Sequence, residues 1–329
     1  MTKHLLSLFV LFFACGVPVG LPREPFQVAG GGMRRFPFAH DLPNGGVLVS
    51  HSTHKDDYLA HPVDEVARLG SPPQREADFY LSGVVSVTGG LYAASYIAYA
   101  KSGLTEEIHG WFSTDGGRSW VPRLGSLQLP ETPIHRAAGW AGLLFHRRLH
   151  RVNEKLVGTV YGGYARDARA EGGEWYRSAW VESSDEGLTW TVRSTIAEGP
   201  AGTEGYAEPV SVICRDGRIL VVMRTGPTSS MRYSRSSDEG ASWSPPLELT
   251  GTVGWDPDLL ASGSETYLSW GASGQIHVAV SSDCGGSWRQ VEDFEVDTSG
   301  YTGLTQNEGL TVFADRASET EIWGYPVTK

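Results

Sequence analysis

Four copies of one eight-residue phrase constrain this chain more than any other feature. STDGGRSW (Ser113–Trp120), SSDEGLTW (Ser183–Trp190), SSDEGASW (Ser236–Trp243) and SSDCGGSW (Ser281–Trp288) all obey Ser-x-Asp-x-Gly-x-x-Trp. Ser and Asp side chains fold back onto nearby backbone N–H groups, Gly supplies the positive φ of a tight turn, and the Trp beyond covers it. Each copy therefore reads as a hairpin turn with its own clamp. The four Asp residues, 115, 185, 238 and 283, stand 70, 53 and 45 residues apart, which leaves room each time for a small antiparallel sheet. A unit of that size repeated along the chain predicts the four-stranded blades of a β-propeller, with these aspartates as turn formers rather than reactive groups.

Composition agrees. With 41 Gly and 11 Trp in 329 residues, strand-like runs punctuated by Gly, Asn, Asp and Pro, and no long segment of helical period, the chain reads as an all-β repeat protein. Residues 1–20 have a short basic start and an apolar run from Leu5 to Ala14, too short to span a bilayer. This predicts an export signal, hence a secreted, periplasmic or cell-surface location, and one domain over residues 21–329. Phe12-Phe13-Ala14-Cys15 is similar to a bacterial lipoprotein box, which would make Cys15 a lipid anchor. Cys214 and Cys284 then remain, and a disulfide between them is open but not forced. No Cys/His spacing reads as a metal site. The net charge of −11 argues against nucleic acid or an anionic membrane surface as partner. The basic run His146-Arg147-Arg148 with His150-Arg151 reads as a solvated strand face.

From Arg35 onward the chain divides into six hairpin units. Their turns are Asn44-Gly45-Gly46, Thr88-Gly89-Gly90, Asn153-Glu154, Arg215-Asp216-Gly217, Gly263-Ser264 and Asn307-Glu308-Gly309. The second to fifth units each run on into a copy of the repeated phrase. The sixth is left with only Glu321 to Val327 for its third strand, so Phe26-Gln27-Val28-Ala29 is expected to complete it and remove an exposed sheet edge. Six units predict six blades. Residues equidistant from an antiparallel turn face each other, so the open ends of the hairpins belong on one face and the repeated turns on the other. Glu208 and Arg224 lie eight residues either side of Asp216, and Lys55, beside Asp56 and Asp57, mirrors Arg35 about Gly45.

The repeated phrase resembles the Asp box, or BNR repeat, of the sialidase (neuraminidase) superfamily of six-bladed β-propellers, and the resemblance runs from Arg35 to Tyr301. It implies a site at the open ends. Arg34-Arg35-Phe36-Pro37 is similar to the family's Arg-Ile-Pro phrase, which makes Arg35 the first of three substrate-binding arginines. Arg224 would be the second, beside Glu208, and Asp57 or Asp56 the acid/base. Gly300-Tyr301-Thr302-Gly303-Leu304 looks like the family's Tyr-Ser-x-Leu phrase, which makes Tyr301 the nucleophile. The family's third arginine has no match: the returning strand of the fifth unit reads Ser269-Trp270-Gly271-Ala272-Ser273-Gly274. Arg136, or Arg166 and Arg169, reaching in from the third unit, are the expected substitutes.

The resemblance implies a retaining exo-glycosidase that releases a terminal sialic or related ulosonic acid from a glycoconjugate. Tyr301 would attack, Glu208 accept its proton, and Asp57 or Asp56 protonate the leaving oxygen. Arg35 and Arg224 would hold the sugar carboxylate, with no metal or organic cofactor. Two other readings remain. One is an enzyme acting on a different acidic sugar, with Trp255, Asp256 and Trp270 reshaping the fifth unit's open end. The other is a non-catalytic propeller in which Trp140, Trp255 and Trp270 stack on sugar rings.

Overall fold

The computed structural model describes residues 24–43, 45–52, 64–68, 81–134, 140–171, 174–272, 274–307, 309–316 and 318–328. Among them the regular structure is β-strand apart from one 3-10 turn at Ala165–Asp167. The N-terminal strand β1 (Phe26–Gly30) stands apart and returns in the last array. β2 (Arg35–Asp41), β3 (Val47–Ser52) and β4 (Asp64–Arg68) form the first array. β5 (Leu81–Val87), β6 (Gly90–Ser102), β7 (Thr105–Ser113) and β8 (Val121–Gln128) form the second. In the third, an inner strand split into β9 (Trp140–Phe145) and β10 (His150–Val152) pairs along β11 (Lys155–Gly162), followed by β12 (Arg177–Ser183) and β13 (Thr189–Ala197). A short parallel pairing of β13 with β8, and an antiparallel one of β9 with β6, join the second and third arrays into one nine-stranded sheet.

β14 (Ala207–Ile213), β15 (Ile219–Arg224), β16 (Ser230–Ser236) and β17 (Leu247–Val253) make the fourth array, and β18 (Trp255–Ser262), β19 (Glu265–Ala272), β20 (Gln275–Ser281) and β21 (Arg289–Glu295) the fifth. The last consists of β22 (Thr302–Thr305), β23 (Thr311–Arg316) and β24 (Glu321–Pro326). β1 supplies its outer strand, antiparallel to β24 with Phe26 opposite Gly324, as the sequence predicts. Contacts pass between successive arrays in chain order, and β22 of the last packs on β2 of the first, so the series closes on itself. Strands inside the stack are apolar on both faces. Ile219–Arg224 is buried throughout, whereas the outer strand Arg289–Glu295 is largely exposed.

The repeated phrase folds as the sequence predicts and does one thing more. In all four copies the Ser Oγ donates to Asp Oδ1 at 2.7–2.8 Å and accepts from the Gly N–H at 2.8–2.9 Å. Asp Oδ1 also accepts the N–H four residues on, at 2.7–2.9 Å. The tryptophan, however, reaches beyond its own turn to the preceding array. Trp190 lies against Tyr92 of β6, and Trp243 packs on Trp180 of β12 and donates to Ser194 Oγ at 2.9 Å. The glycine is fixed by the same joint. Gly187 has φ +88, and a Cβ there would meet the Tyr92 ring at 2.6 Å. The phrase is thus a staple between arrays, and the disulfide Cys214–Cys284, with Cα atoms 5.8 Å apart, is a covalent one between the fourth and fifth.

Candidate active site at the open hairpin ends

Three arrays begin with the same distortion. In β2, β14 and β18 the pairing slips between residues 35 and 38, 207 and 210, and 255 and 258. The bulged residue is left-handed each time: Phe36 at φ 56, Glu208 at 45 and Asp256 at 46. Each is followed by proline: Pro37, Pro209 and Pro257. A proline disfavours the right-handed helical region in the residue before it, and a left-handed non-glycine residue is strained. A bulge re-aims one side chain out of the pleat. The bulge also corrects the simple count from the turn: Arg224 stands opposite Ala207 in register, not Glu208.

Glu208 nevertheless reaches Arg224, accepting from Nη1 at 2.8 Å through Oε1. Its Oε2 accepts the backbone N–H of Asp256 at 3.0 Å, and the Tyr301 hydroxyl stands 3.5 Å from Oε1. Tyr301 is wedged between Phe36, with ring centroids 4.1 Å apart, and Trp255, stacked at 6.4 Å. The Arg224 guanidinium lies over the Trp255 ring at 4.8 Å. Burial pushes the Glu208 carboxyl above the ordinary carboxylate range, against the opposing pull of Arg224. Glu208, Arg224 and Tyr301 are therefore brought together, and Trp255 joins them. Arg35 sits at the neighbouring open end, over the Phe36 ring at 4.0 Å and paired with Glu319 at 3.0 Å.

Other expectations change. Trp270 is 5 % exposed, stacks on His277 and belongs to the core between the fourth and fifth arrays, so it is a packing residue rather than a ring offered to a ligand. Arg166 pairs with Glu131 and Glu198. Arg169 donates to the carbonyls of Glu174 and Thr203. Asp56, Asp57 and Arg136 lie outside the described residues.

The basic run at residues 146–151 is the main reversal. His146 and Arg147 are buried, not a solvated face. His146 Nε2 is 2.9 Å from Asp256 Oδ1, Arg147 pairs with both Asp256 oxygens, and Arg148 pairs with Asp258 while donating to the Leu304 carbonyl at 2.6 Å. His146 Nδ1 lies 3.2 Å from the Pro209 carbonyl. This buried group ties the third array to the fourth, fifth and sixth directly beneath Glu208. Burial alone would raise the Asp256 carboxyl, but Arg147 and His146 hold it below the usual aspartate range. Charges so deeply buried persist only when paired, and Asp256 and Asp258 supply the pairing.

Sequence reasoning also missed Glu204, whose Oε1 and Oε2 accept from Arg224 Nε and Nη2 at 2.5 and 3.0 Å. The repeated x-Pro dipeptides at 36, 208 and 256 carried a signal for the three bulges. Glu204 carried none.

A model of the BNR repeat-like domain matches residues 84–314. The chain belongs to the BNR repeat-like domain family. No curated protein matches it significantly by sequence. Among solved structures, this BNR-repeat chain resembles a Dyadobacter fermentans protein of unknown function at TM-score 0.69 and 15% identity, over 95% of this chain and 100% of that one. It resembles a Hadza microbial sialidase equally, at TM-score 0.69 and 15% identity, over 89% of this chain and 66% of that one. A Penicillium chrysogenum α-L-arabinanase complexed with arabinobiose follows at TM-score 0.65 and 15% identity, over 94% and 98%. The chain thus spans just under two thirds of the sialidase and nearly all of the arabinanase. At these identities the likeness is one of fold, shared with propeller glycosidases.

Proposed function

We propose that the six arrays are the blades of a six-bladed propeller and that the chain is a retaining glycoside hydrolase of the sialidase type, acting outside the cytoplasm. The observation that carries this reading is the meeting of the Tyr301 hydroxyl with the Glu208 carboxylate, 3.5 Å apart and beside Arg224, from residues 93 apart in sequence. Glu208, ionised, accepts the phenolic proton as Tyr301 Oη attacks the anomeric carbon and the glycosidic C–O bond breaks. The leaving oxygen takes its proton from an acid, for which Asp57 or Asp56 is proposed. In the second step water attacks the same carbon, the acid's conjugate base accepts the water's proton, and the proton on Glu208 returns to Tyr301. A carboxyl raised toward neutrality is well matched to exchanging a proton with a phenol.

Arg35 and Arg224 support a terminal sialic or related ulosonic acid as substrate. The want of a third arginine at residues 269–274 weighs against it, and the likeness to an arabinanase complexed with arabinobiose favours a second reading, a sugar without a carboxylate. The test of catalysis is release of the aryl alcohol from a panel of aryl glycosides. Tyr301→Phe should abolish it and Glu208→Gln should lower it by about 10²–10⁴, each with the fold intact; full turnover in both would sink the assignment.

A further inference from the structure

We infer, resting on that reading of the site, that the sugar bound here carries no carboxylate and that Glu204 is the residue that decides this. An arginine recognises a carboxylate through a planar fork of two parallel N–H donors. In Arg224 that fork, Nε with Nη2, is already closed on Glu204, while Nη1 is given to Glu208 and the flat face to Trp255. A sugar carboxylate would have to displace one internal carboxylate and then lie beside another.

Glu204 is built in rather than draped over the site. Its carbonyl accepts from Tyr176 N at 2.8 Å, Thr203 N donates to the Thr225 carbonyl at 2.8 Å, and Gly205 N donates to the Ala201 carbonyl at 2.8 Å. The glycines flanking this short segment leave no room for a side chain: a Cβ on Gly202 would strike the Thr225 carbonyl, and one on Gly205 the backbone of Tyr176. Both have positive φ, +52 and +87. The carboxylate is therefore presented to Arg224 by a backbone pinned on both sides.

Among the described residues, the other candidate arginines also have partners. Arg35 faces Glu319, Arg166 faces Glu131 and Glu198, and Arg169 is spent on backbone carbonyls. An acidic sugar would bring its negative charge up to arginines that already face carboxylates, Arg224 with Glu204 and Glu208 and Arg35 with Glu319. A neutral sugar needs only hydroxyl contacts to carboxylates and the apolar faces of Trp255 and Tyr301.

The experiment measures kcat/KM for the wild-type chain and Glu204→Gln on aryl glycosides of neutral pentoses and hexoses, of a uronic acid and of sialic acid. In parallel, the binding of free sialic acid and of neutral oligosaccharides to Tyr301→Phe is measured by calorimetry. Wild type should turn over a neutral glycoside at least about tenfold better than either acidic one, and Tyr301→Phe should bind the neutral ligand. Glu204→Gln, which opens the fork, should raise kcat/KM on the acidic glycosides about ten- to a hundredfold. Glu319→Gln, which removes the carboxylate facing Arg35, should give a smaller gain and serves if Glu204→Gln has a lowered melting temperature. A wild type that prefers the sialoside or uronide overturns the inference and leaves the hydrolase reading standing. No turnover on any glycoside overturns the hydrolase reading, and binding of sialic acid over neutral sugars by Tyr301→Phe then overturns this inference separately.

Discussion

The two ends of the strands solve opposite problems with the same repeat. At the end carrying the repeated phrase, four turns hold one network of Ser, Asp, Gly and Trp with hydrogen-bond lengths alike within 0.1–0.2 Å. At the open end, three arrays share one backbone device, the left-handed residue before proline, yet it carries Phe36, Glu208 and Asp256 in turn. Where the side chains repeat, they join arrays; where only the backbone repeats, the side chains are free to differ and chemistry collects. Strain is tolerated at the second end because a buried ion group beneath it, Arg147 with Asp256 and Arg148 with Asp258, fixes the arrays against one another.

Substitutions at the two ends should therefore separate activity from stability. The largest effect belongs to the open end: Glu208→Gln should lower kcat by about 10²–10⁴ with a melting temperature near wild type, and unfolding alongside the loss would break the contrast. At the other end, Trp190→Ala removes a fully buried ring from between the second and third arrays. It should cost about 3–5 kcal/mol in denaturant unfolding and leave kcat of the folded fraction unchanged. Replacing both Cys214 and Cys284 by Ser, across a separation of 70 residues, should cost about 2–4 kcal/mol, again without changing kcat.

Titration sharpens the comparison through smaller effects of opposite sign. Side-chain and backbone donors of Ser242 and Ser236 hold Asp238 at about 2, and those of Ser281 and Ser287 hold Asp283 at about 2. These folded values lie below the ordinary aspartate value of 3.8. Their contribution to stability is complete above the ordinary value and disappears as pH falls through about 2. Glu208 is raised by burial, so its contribution is complete below the ordinary glutamate value and disappears as pH rises through the raised one. Thermal melts from pH 2 to 9 should show acid loss reduced in Asp238→Asn and alkaline loss reduced in Glu208→Gln. The acid limb of kcat/KM should lie above the usual glutamate range, because Glu208 must be ionised to accept the Tyr301 proton. A limb near pH 4 would argue against that role.

The β architecture was legible because its signals are local and repeated. Turn residues, the box phrase and the alternation of strand with turn each act within a dozen residues, and the closing strand at Phe26 followed from counting what the last unit lacked. The pairing of Glu208 with Arg224 was legible as a count from Asp216, although the bulge at Glu208 shifts the register. The basic run at 146–151 was misread because its partners, Asp256 and Asp258, lie about 110 residues away, and nothing local distinguishes a buried arginine from an exposed one. Glu204 was invisible although its partner Arg224 is only 20 residues on, because no turn count or motif sets them opposite each other. Trp270 read as a surface ring because sequence does not tell which face of β19 meets the neighbouring array.

The most direct measurement is to trap the glycosyl-enzyme. The wild-type chain would be treated with the 2-deoxy-2-fluoro glycosyl fluoride of whichever sugar it releases fastest, or with the difluoro analogue if that sugar is a sialic acid, then digested and mapped by mass spectrometry. A label on Tyr301, absent from Glu208→Gln, is the predicted result. A label on the carboxylate of Glu208 or Glu204 would contradict the account and make one of these acids the nucleophile.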